Sequence, residues 1–446
     1  MAETVRLREK IAYGASDVAS NLSWGTVGSF LMIYYTDVAK IPALAVGTLF
    51  LFTRIWDAVN DPIMGIIIDK THSRWGKCRP YFLWMCLPLG VLMILTYSVP
   101  QFSGMGKLVY AYITFTLLGM VYTAINIPVT AILPRLSSDP GQRTVLGAFR
   151  MFGALMGGIL VNALTYPAVL ALGKGSLQRG YTTTLSIYAV VAVVLFLFAF
   201  FNVKEIRLEK SEKKVSIAEG IRAAKGNLPW LLVLFVGLVL QLTMGMRGAA
   251  QIYYCKYVLK NENLIAILGA MAVVMLIPVV CLPAVVKRLG KRNTVSMGIL
   301  LALAGSITVL FSGSSIPLLF AGNIVIFIGF GFSFGLLFVL ISDTVDYGEW
   351  KNNVRSEGFL SAAASFGQKL GIGLGGAFAA WVLGFSGYIE NAVQQNPGAL
   401  AAIRFNYAVV PVLACIIIFV LMCFYGMDKI TPQMTADLEK RHAQEA

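Results

Sequence analysis

The feature that most constrains this chain is a recurrence of apolar runs, each about 20 residues or longer and separated by short polar loops. An α-helix of that length matches the hydrocarbon thickness of a bilayer. Inside a bilayer only helices and closed barrels satisfy their own backbone hydrogen bonds. Twelve spans are expected, at 11–36, 42–68, 80–99, 107–133, 144–170, 183–203, 229–258, 262–286, 294–312, 316–342, 357–385 and 404–426. Composition agrees. The 446 residues are 57% hydrophobic and 13% charged, with a mean hydropathy of +0.74, where a soluble domain carries about 25% charged residues. The expected class is an all-α integral membrane protein.

Charge sorts the loops into two sets. Lys70, Arg74, Lys77, Arg79, Arg135, Arg143, the stretch Lys204 to Lys225, Lys287, Arg288, Lys291, Arg292, Lys351 and Arg355 fall on one side. The other side has little beyond Lys40, Lys107, Lys174, Arg179 and Lys260. By the positive-inside rule both termini are cytoplasmic, as an even helix count requires. The net charge of +14 is therefore a topology signal, and no nucleic-acid partner is expected. The longest polar stretch, Lys204 to Asn227, divides the chain into an amino-terminal bundle (1–203), a cytoplasmic middle loop (204–228), a carboxy-terminal bundle (229–427) and a tail (428–446). A weak repeat supports the division: Arg74-Trp75-Gly76-Lys77 follows the second run, and Arg288-Leu289-Gly290-Lys291 the eighth. Gly367, Gly371, Gly373, Gly375 and Gly376 in the eleventh run suit either sliding or close static packing.

Six cysteines form no CxxC pair, which reads as reduced or lipid-buried thiols. The two histidines, His72 and His442, lie in a loop and the tail, so a proton carried through the membrane must ride on a carboxylate. The charged start runs into an apolar stretch without a cleavage site, and the first helix is expected to stay as an anchor.

The second run holds the main anomaly, Asp57-Ala58-Val59-Asn60-Asp61-Pro62. Two carboxylates at i and i+4 share one helix face with Asn60 beside them, and Pro62 leaves the carbonyl of Ala58 without its helical donor. Ionised acids at membrane depth are costly and face a partner or a water-filled cavity. Two carboxylates, an amide and a freed carbonyl suit a small cation. The alternative is an acid pair neutralised by buried Arg or Lys. Asp17 is the other interior acid, and the interior cations are Arg54, Arg150, Arg247, Lys256 and Lys369. Arg54 lies three residues from Asp57 and is expected to be structural. Arg150 is either a snorkelling residue or part of a site. Lys369 suits a substrate hydroxyl or charge balance with the aspartates. Tyr122 and Asn126 share a face at i, i+4, above Pro128, and an aromatic ring with an amide is a common way to hold a sugar. No nucleophile-and-base set, phosphate loop or metal-ligand cluster is legible, so an enzyme, an ATP-driven pump and a resident cofactor are not expected.

Taken together, these motifs resemble the glycoside–pentoside–hexuronide:cation symporters, the melibiose-permease family of the major facilitator superfamily. The resemblance covers nearly the whole chain. It rests on Lys10-Ile11-Ala12-Tyr13-Gly14 leading to Asp17 and Asn21, on Tyr34-Tyr35-Thr36-Asp37, and on the second run through Pro62-Ile63-Met64-Gly65. It continues with Ser73-Arg74-Trp75-Gly76-Lys77, Tyr122-Thr123, Ile127-Pro128 and Asp343-Thr344-Val345-Asp346-Tyr347-Gly348-Glu349. The resemblance implies twelve helices in two pseudo-symmetric bundles and sugar transport driven by an inward Na+, H+ or Li+ gradient. Asp57, Asn60, Asp61 and Thr123 match the family's cation positions. Its sugar-contact positions fall on Asn21, Tyr122, Asn126, Thr130, Arg150, Phe334 and Lys369. Melibiose permease has aspartates at Asn21 and Asn126, tryptophans at Thr130 and Phe334, and no counterpart of Arg247, so galactoside specificity does not carry over.

The expected function is a monomeric symporter for a sugar or glycoside and a monovalent cation, Na+ or H+, with the sugar bound between the two bundles. Rival readings are a lysolipid or other amphipathic solute transporter and a membrane sensor without flux. Asp17 and Arg247 are counted with the sugar set. Arg247 and Lys256 add positive charge that would favour an anionic sugar, unless Arg247 pairs with Asp17 or a carbonyl. Asp69, Arg74, Lys77 and Arg79, with Asp343, Asp346, Glu349 and Arg355, are expected to form cytoplasmic salt bridges that gate the carrier.

Overall fold

The computed structural model describes residues 5–137, 140–205, 222, 224–352, 357–392 and 394–445, and the regular elements among them are helical. Helix α1 (Leu7–Thr26) continues through two π-helical turns, Val27–Leu31 and Tyr34–Val38. It is followed by α2 (Ala43–Lys70), α3 (Arg79–Thr96), α4 (Gly104–Ala131), α5 (Pro140–Gly173) and α6 (Leu177–Asn202). Most of the expected middle loop lies outside the described residues. Helix α7 (Leu228–Tyr253) ends in a π turn at Tyr254–Val258, and α8 runs Leu264–Ala270 and Leu276–Leu289 around a 3-10 turn, Met271–Met275. Then come α9 (Lys291–Phe311), α10 (Ile316–Asn352) and α11 (Glu357–Phe385). Helix α12 joins Pro397–Arg404 to Val410–Cys423 through the π turn Phe405–Val409, and α13 (Met427–Glu445) forms the tail. Among the described residues, nine helices are long and apolar enough to cross a membrane. Helices α1, α2 and α11 are not among the nine, and they carry Asp17, Arg54, Asp57, Asp61 and Lys369.

The chain forms two compact units. The first comprises Met1–Ser211, Gln251–Ala270 and Gly376–Leu400, and the second Glu212–Ala250, Met271–Gly375 and Ala401–Ala446. In the first, α1 lies against α5 and α6, α3 against α4 and α6, and α2 against α4. Glycines bring α1 and α5 into backbone contact. A Cβ at Gly14 would fall 2.7 Å from the carbonyl oxygen of Phe149, and one at Gly157 would fall 2.7 Å from Cβ of Asn21. Small residues at such crossings are the usual means of close approach in membranes. They set Asp17 within reach of Arg150. Helix α2 shows two faces. Ile55, Val59, Ile63 and Ile66 stand exposed at helical spacing, while Arg54, Asp57 and Asp61 follow each other on another stripe. Pro62 is accommodated without ending the helix.

In the second unit, α9 packs on α10 and α12. Gly298 and Gly305 make the first contact close: an added Cβ would lie 2.7 Å from Gly329 O and 2.6 Å from Gly322 O. A Cβ at Gly371 of α11 would fall 2.5 Å from Leu238 O of α7, so this glycine serves close packing.

Two turns recur in the halves. The π turns Tyr34–Val38 and Tyr254–Val258 make matching hydrogen bonds, Ala39 N to Tyr34 O at 2.8 Å and Leu259 N to Tyr254 O at 2.9 Å. Each is followed by a lysine at positive φ, Lys40 at 58° and Lys260 at 53°. Left-handed backbone is uncommon away from glycine, and here it follows each of the two π turns. The glycines of the Arg-x-Gly-Lys pair also both take positive φ, Gly76 at 106° and Gly290 at 79°, which explains why glycine stands there.

Candidate functional site

The first unit gathers most of the polar residues singled out in the sequence. On α2, Arg54 Nη1 donates to Asp57 Oδ2 at 3.0 Å, with side chains only 12% and 18% exposed. Arg54 thus pairs with the acid three residues away on its own helix. One turn on, Thr123 Oγ1 of α4 donates to Asp61 Oδ1 at 3.0 Å. Asn60 is buried beside them, and its Nδ2 has no hydrogen-bond partner among the described residues. The set combines carboxylate, amide and hydroxyl oxygens, the hard donors that a small cation takes. An amide nitrogen buried without an acceptor is costly.

A second cluster adjoins it along α1, α4 and α5. Arg150 Nε donates to Asp17 Oδ2 at 2.8 Å, and its Nη2 donates to Thr130 Oγ1 at 3.0 Å. Arg150 thus takes Asp17 as a charge partner. Asn21 Nδ2 donates to the carbonyl of Asp17 at 3.0 Å, and Asn126 Nδ2 to Tyr122 OH at 3.1 Å. Tyr122 lies on Trp24 with ring centres 4.5 Å apart and planes 14° from parallel. Trp24 also receives the Arg54 guanidinium 5.0 Å from a ring centre. Trp24 escaped the sequence reading because an aromatic residue on an apolar helix is ordinary.

Asp37 was also missed. In the first unit its carboxylate is fully buried and accepts from Lys256 Nζ at 2.7 Å, Tyr257 OH at 2.8 Å, Tyr388 OH at 2.6 Å and Thr36 Oγ1 at 3.0 Å. Lys256 Nζ also donates to Asn391 Oδ1 at 3.0 Å. The positive charge that Lys256 adds to α7 is therefore balanced locally. The signal available was the acid following Tyr-Tyr-Thr at the end of the first run and a lysine at the matching place in the seventh.

Arg247, Phe334 and Lys369 belong to the second unit. Arg247 is 3% exposed. Its Nη2 donates to Asn323 Oδ1 and, at 3.2 Å, to Tyr407 OH, and its guanidinium lies 4.4 Å from the Tyr407 ring centre and 5.9 Å from that of Phe327. Within its unit Arg247 is held by an amide oxygen, a phenol and aromatic faces. Phe334 packs edge-on against Phe330 at 6.4 Å, and Lys369 is exposed on α11.

Of the charged loop residues, Asp343 accepts from Lys291 Nζ through both oxygens, at 2.7 and 2.6 Å, within the second unit. Within the first, Arg79 Nε donates to Phe200 O at 2.6 Å, and Arg74 lies 4.4 Å from the ring centre of Trp75. Lys77, Asp346 and Glu349 are half-buried. The side chain of Asp69 and all of Arg355 lie outside the described residues.

Residues 12–429 match the family model for MFS/sugar transport protein. The chain is 42% identical over 443 residues to the isoprimeverose transporter of Lactiplantibacillus pentosus, covering 98% of this chain and 92% of that one. It is 31% identical over 426 residues to the putative glycoside/cation symporter YagG of Escherichia coli K12, covering 94% and 92%. Its fold is like that of the nucleoside transporter NupG, with a TM-score of 0.68 at 15% identity, covering 94% of this chain and 100% of that chain. With the family model matched from α1 to α13, the chain belongs to the MFS/sugar transport family, the glycoside–pentoside–hexuronide:cation symporters whose motifs it carries.

Proposed function

We propose that this protein is a secondary active symporter of the bacterial cytoplasmic membrane, coupling uptake of a sugar or glycoside to a monovalent cation gradient by alternating access. The observation that carries the reading is the α2 acid pair. Asp57 and Asp61 lie on one stripe of a helix whose other face is exposed and apolar, and Thr123 of α4 is hydrogen-bonded to Asp61. Two carboxylates in a low-dielectric setting repel, so a cation held between them stabilises the form that binds sugar. Asp57, Asn60, Asp61 and Thr123 would hold Na+, or the carboxylates would take a proton.

The sugar reading rests on Asn21, Tyr122, Asn126 and Thr130 around the Asp17–Arg150 pair, all within the first unit. Among relatives whose names bear on substrate, the isoprimeverose transporter is 42% identical, against 31% for a glucuronide carrier protein homolog and for a putative 2,3-dihydroxypropane-1-sulfonate exporter, and a neutral glycoside such as isoprimeverose is the preferred class. Two of the interior cations are balanced within the protein, Arg150 by Asp17 and Lys256 by Asp37, which supports a neutral substrate. The finer topology proposed is twelve spans with both termini cytoplasmic, working as a monomer, and the loop-charge asymmetry supports it. The cytoplasmic clusters around Asp69, Arg74, Lys77 and Arg79, and around Asp343, Asp346, Glu349 and Arg355, are proposed to bias the alternation, through a network rather than single exposed pairs.

The test is uptake of a labelled xyloside by proteoliposomes under an imposed Na+ or pH gradient, with a matched glucoside and glucuronide as competitors. Uphill uptake under one gradient is expected, with the glucoside competing better. Absence of uptake and of counterflow would sink the symport reading. A dominant glucuronide would overturn neutrality.

A further inference from the structure

We infer that Trp24 is the positioning residue through which cation occupancy at Asp57 is felt at the Tyr122–Asn126 pair; the inference rests on the reading of Asp57 and Asp61 as the cation site. Four contacts within the first unit carry it. Arg54 Nη1 donates to Asp57 Oδ2 at 3.0 Å, and the Arg54 guanidinium carbon lies 5.0 Å from a Trp24 ring centre. Tyr122 is stacked on Trp24 at 4.5 Å and 14°, and Tyr122 OH accepts from Asn126 Nδ2 at 3.1 Å. Gly119 makes room for the arrangement: a Cβ there would sit 3.2 Å from Asp57 Oδ1 and 3.9 Å from Cη2 of Trp24.

The physics follows from what compensates Arg54 for burial. Its charge is offset chiefly by Asp57, with Asp61 farther along the same stripe, and it lies over one ring face, while its Nε has no hydrogen-bond partner among the described residues. A cation attracted to Asp57 shares that carboxylate's charge, so the hold on Arg54 weakens and the Trp24 face carries more of the guanidinium's compensation. Indole is the best of the aromatic faces for a cation. Trp24 covers one face of Tyr122 and sets the plane of its ring, so a change in the indole's position or freedom is transmitted to the hydroxyl that Asn126 holds. An empty cation site leaves Arg54 pulled toward Asp57, and an occupied one settles it on the indole. The sugar then meets a Tyr122–Asn126 pair whose geometry depends on the cation.

The measurement is the ratio of glycoside affinity with saturating Na+, or at low pH, to that without the cation, by equilibrium binding to purified protein. Coupling between sites typically amounts to about 5–150-fold. In Trp24→Leu the ratio should fall to within about twofold of one, whereas a merely structural change would lower both affinities and keep the ratio. Trp24→Phe keeps an aromatic surface under Tyr122 with a weaker face for Arg54. It should bind glycoside without cation within about twofold of the parent, yet show an intermediate ratio, and it decides the matter if the leucine variant does not fold. The parent-minus-Trp24→Phe fluorescence difference should also change on adding cation without sugar. A parent ratio of one would overturn the cation reading and the inference with it. A parent ratio well above one, kept in Trp24→Phe or Trp24→Leu, would overturn the role of Trp24 alone.

Discussion

The first unit contains two acid clusters that share residue types and differ in finish. Around Asp37 both carboxylate oxygens are taken, by an ammonium, two phenols and a threonine, and the side chain has no exposure. Around Asp57 and Asp61 a guanidinium and a hydroxyl donate, the Asp57 side chain keeps 18% exposure, and the Asn60 amide nitrogen nearby has no acceptor among the described residues. A buried charge that is fully paired and hydrogen-bonded holds segments together and has little capacity for another ligand. A carboxylate that keeps access can still be reached by a cation. The difference teaches that an intramembrane acid is read best by how accessible it remains in the packed chain, because its identity alone is the same in both clusters.

Three experiments would sharpen or break this contrast. The largest effect is expected from Asp57→Asn and Asp61→Asn, each of which removes one charge from the pair. Cation-driven uphill accumulation per folded molecule should be lost in both, and Asp57→Asn should also lower the amount of folded protein, because it leaves Arg54 without that anion. Ordinary uphill transport in both variants would mean that the open cluster is not the coupling site.

Next in size is Asp37→Asn. It leaves Lys256 largely buried without its anion, and breaking a buried pair of this kind costs about 3 kcal/mol. The expected result is a clearly lower unfolding temperature of the purified protein, with cation stimulation of uptake per folded molecule preserved. A variant that melts normally but has lost its cation dependence would exchange the roles assigned to the two clusters.

The smallest effect should come from Gly119→Ala. Its new methyl would press on Asp57 Oδ1 at 3.2 Å. Crowding of this sort costs about 1 kcal/mol, or somewhat under tenfold in cation affinity. Isothermal titration with Na+, or the pH dependence of glycoside binding if the proton is the coupling ion, would show it. Unaltered affinity would imply that Asp57 moves aside freely.

Much of the candidate site was legible because charge inside an apolar run is conspicuous. Asp57, Asp61, Arg54, Arg150 and Lys369 stand out against their neighbours, and i, i+4 spacing puts Tyr122 and Asn126 on one face before any coordinates are known. Asp37 was not legible in the same way. An acid at the end of a run looks like a solvated helix end, and its burial depends on Tyr257, Lys256 and Tyr388, more than 200 residues away. Trp24 was invisible for the opposite reason: aromatic rings are plentiful in membrane helices, and only its neighbours make this one distinctive.

By itself the sequence determined the class of fold, the loop-charge asymmetry and the family, since helix length, the absence of water to satisfy the backbone in a bilayer and short motifs are local properties. The tertiary structure decided the partners. Arg150 takes Asp17 because Gly14 and Gly157 let α1 and α5 touch, and Lys256 is neutralised because the turn containing Asp37 reaches it. Arg247 settles on Asn323 and Tyr407 through the packing of its own unit. Charge pairing falls off over a few ångströms, so it depends on side-chain positions that only the packed chain provides.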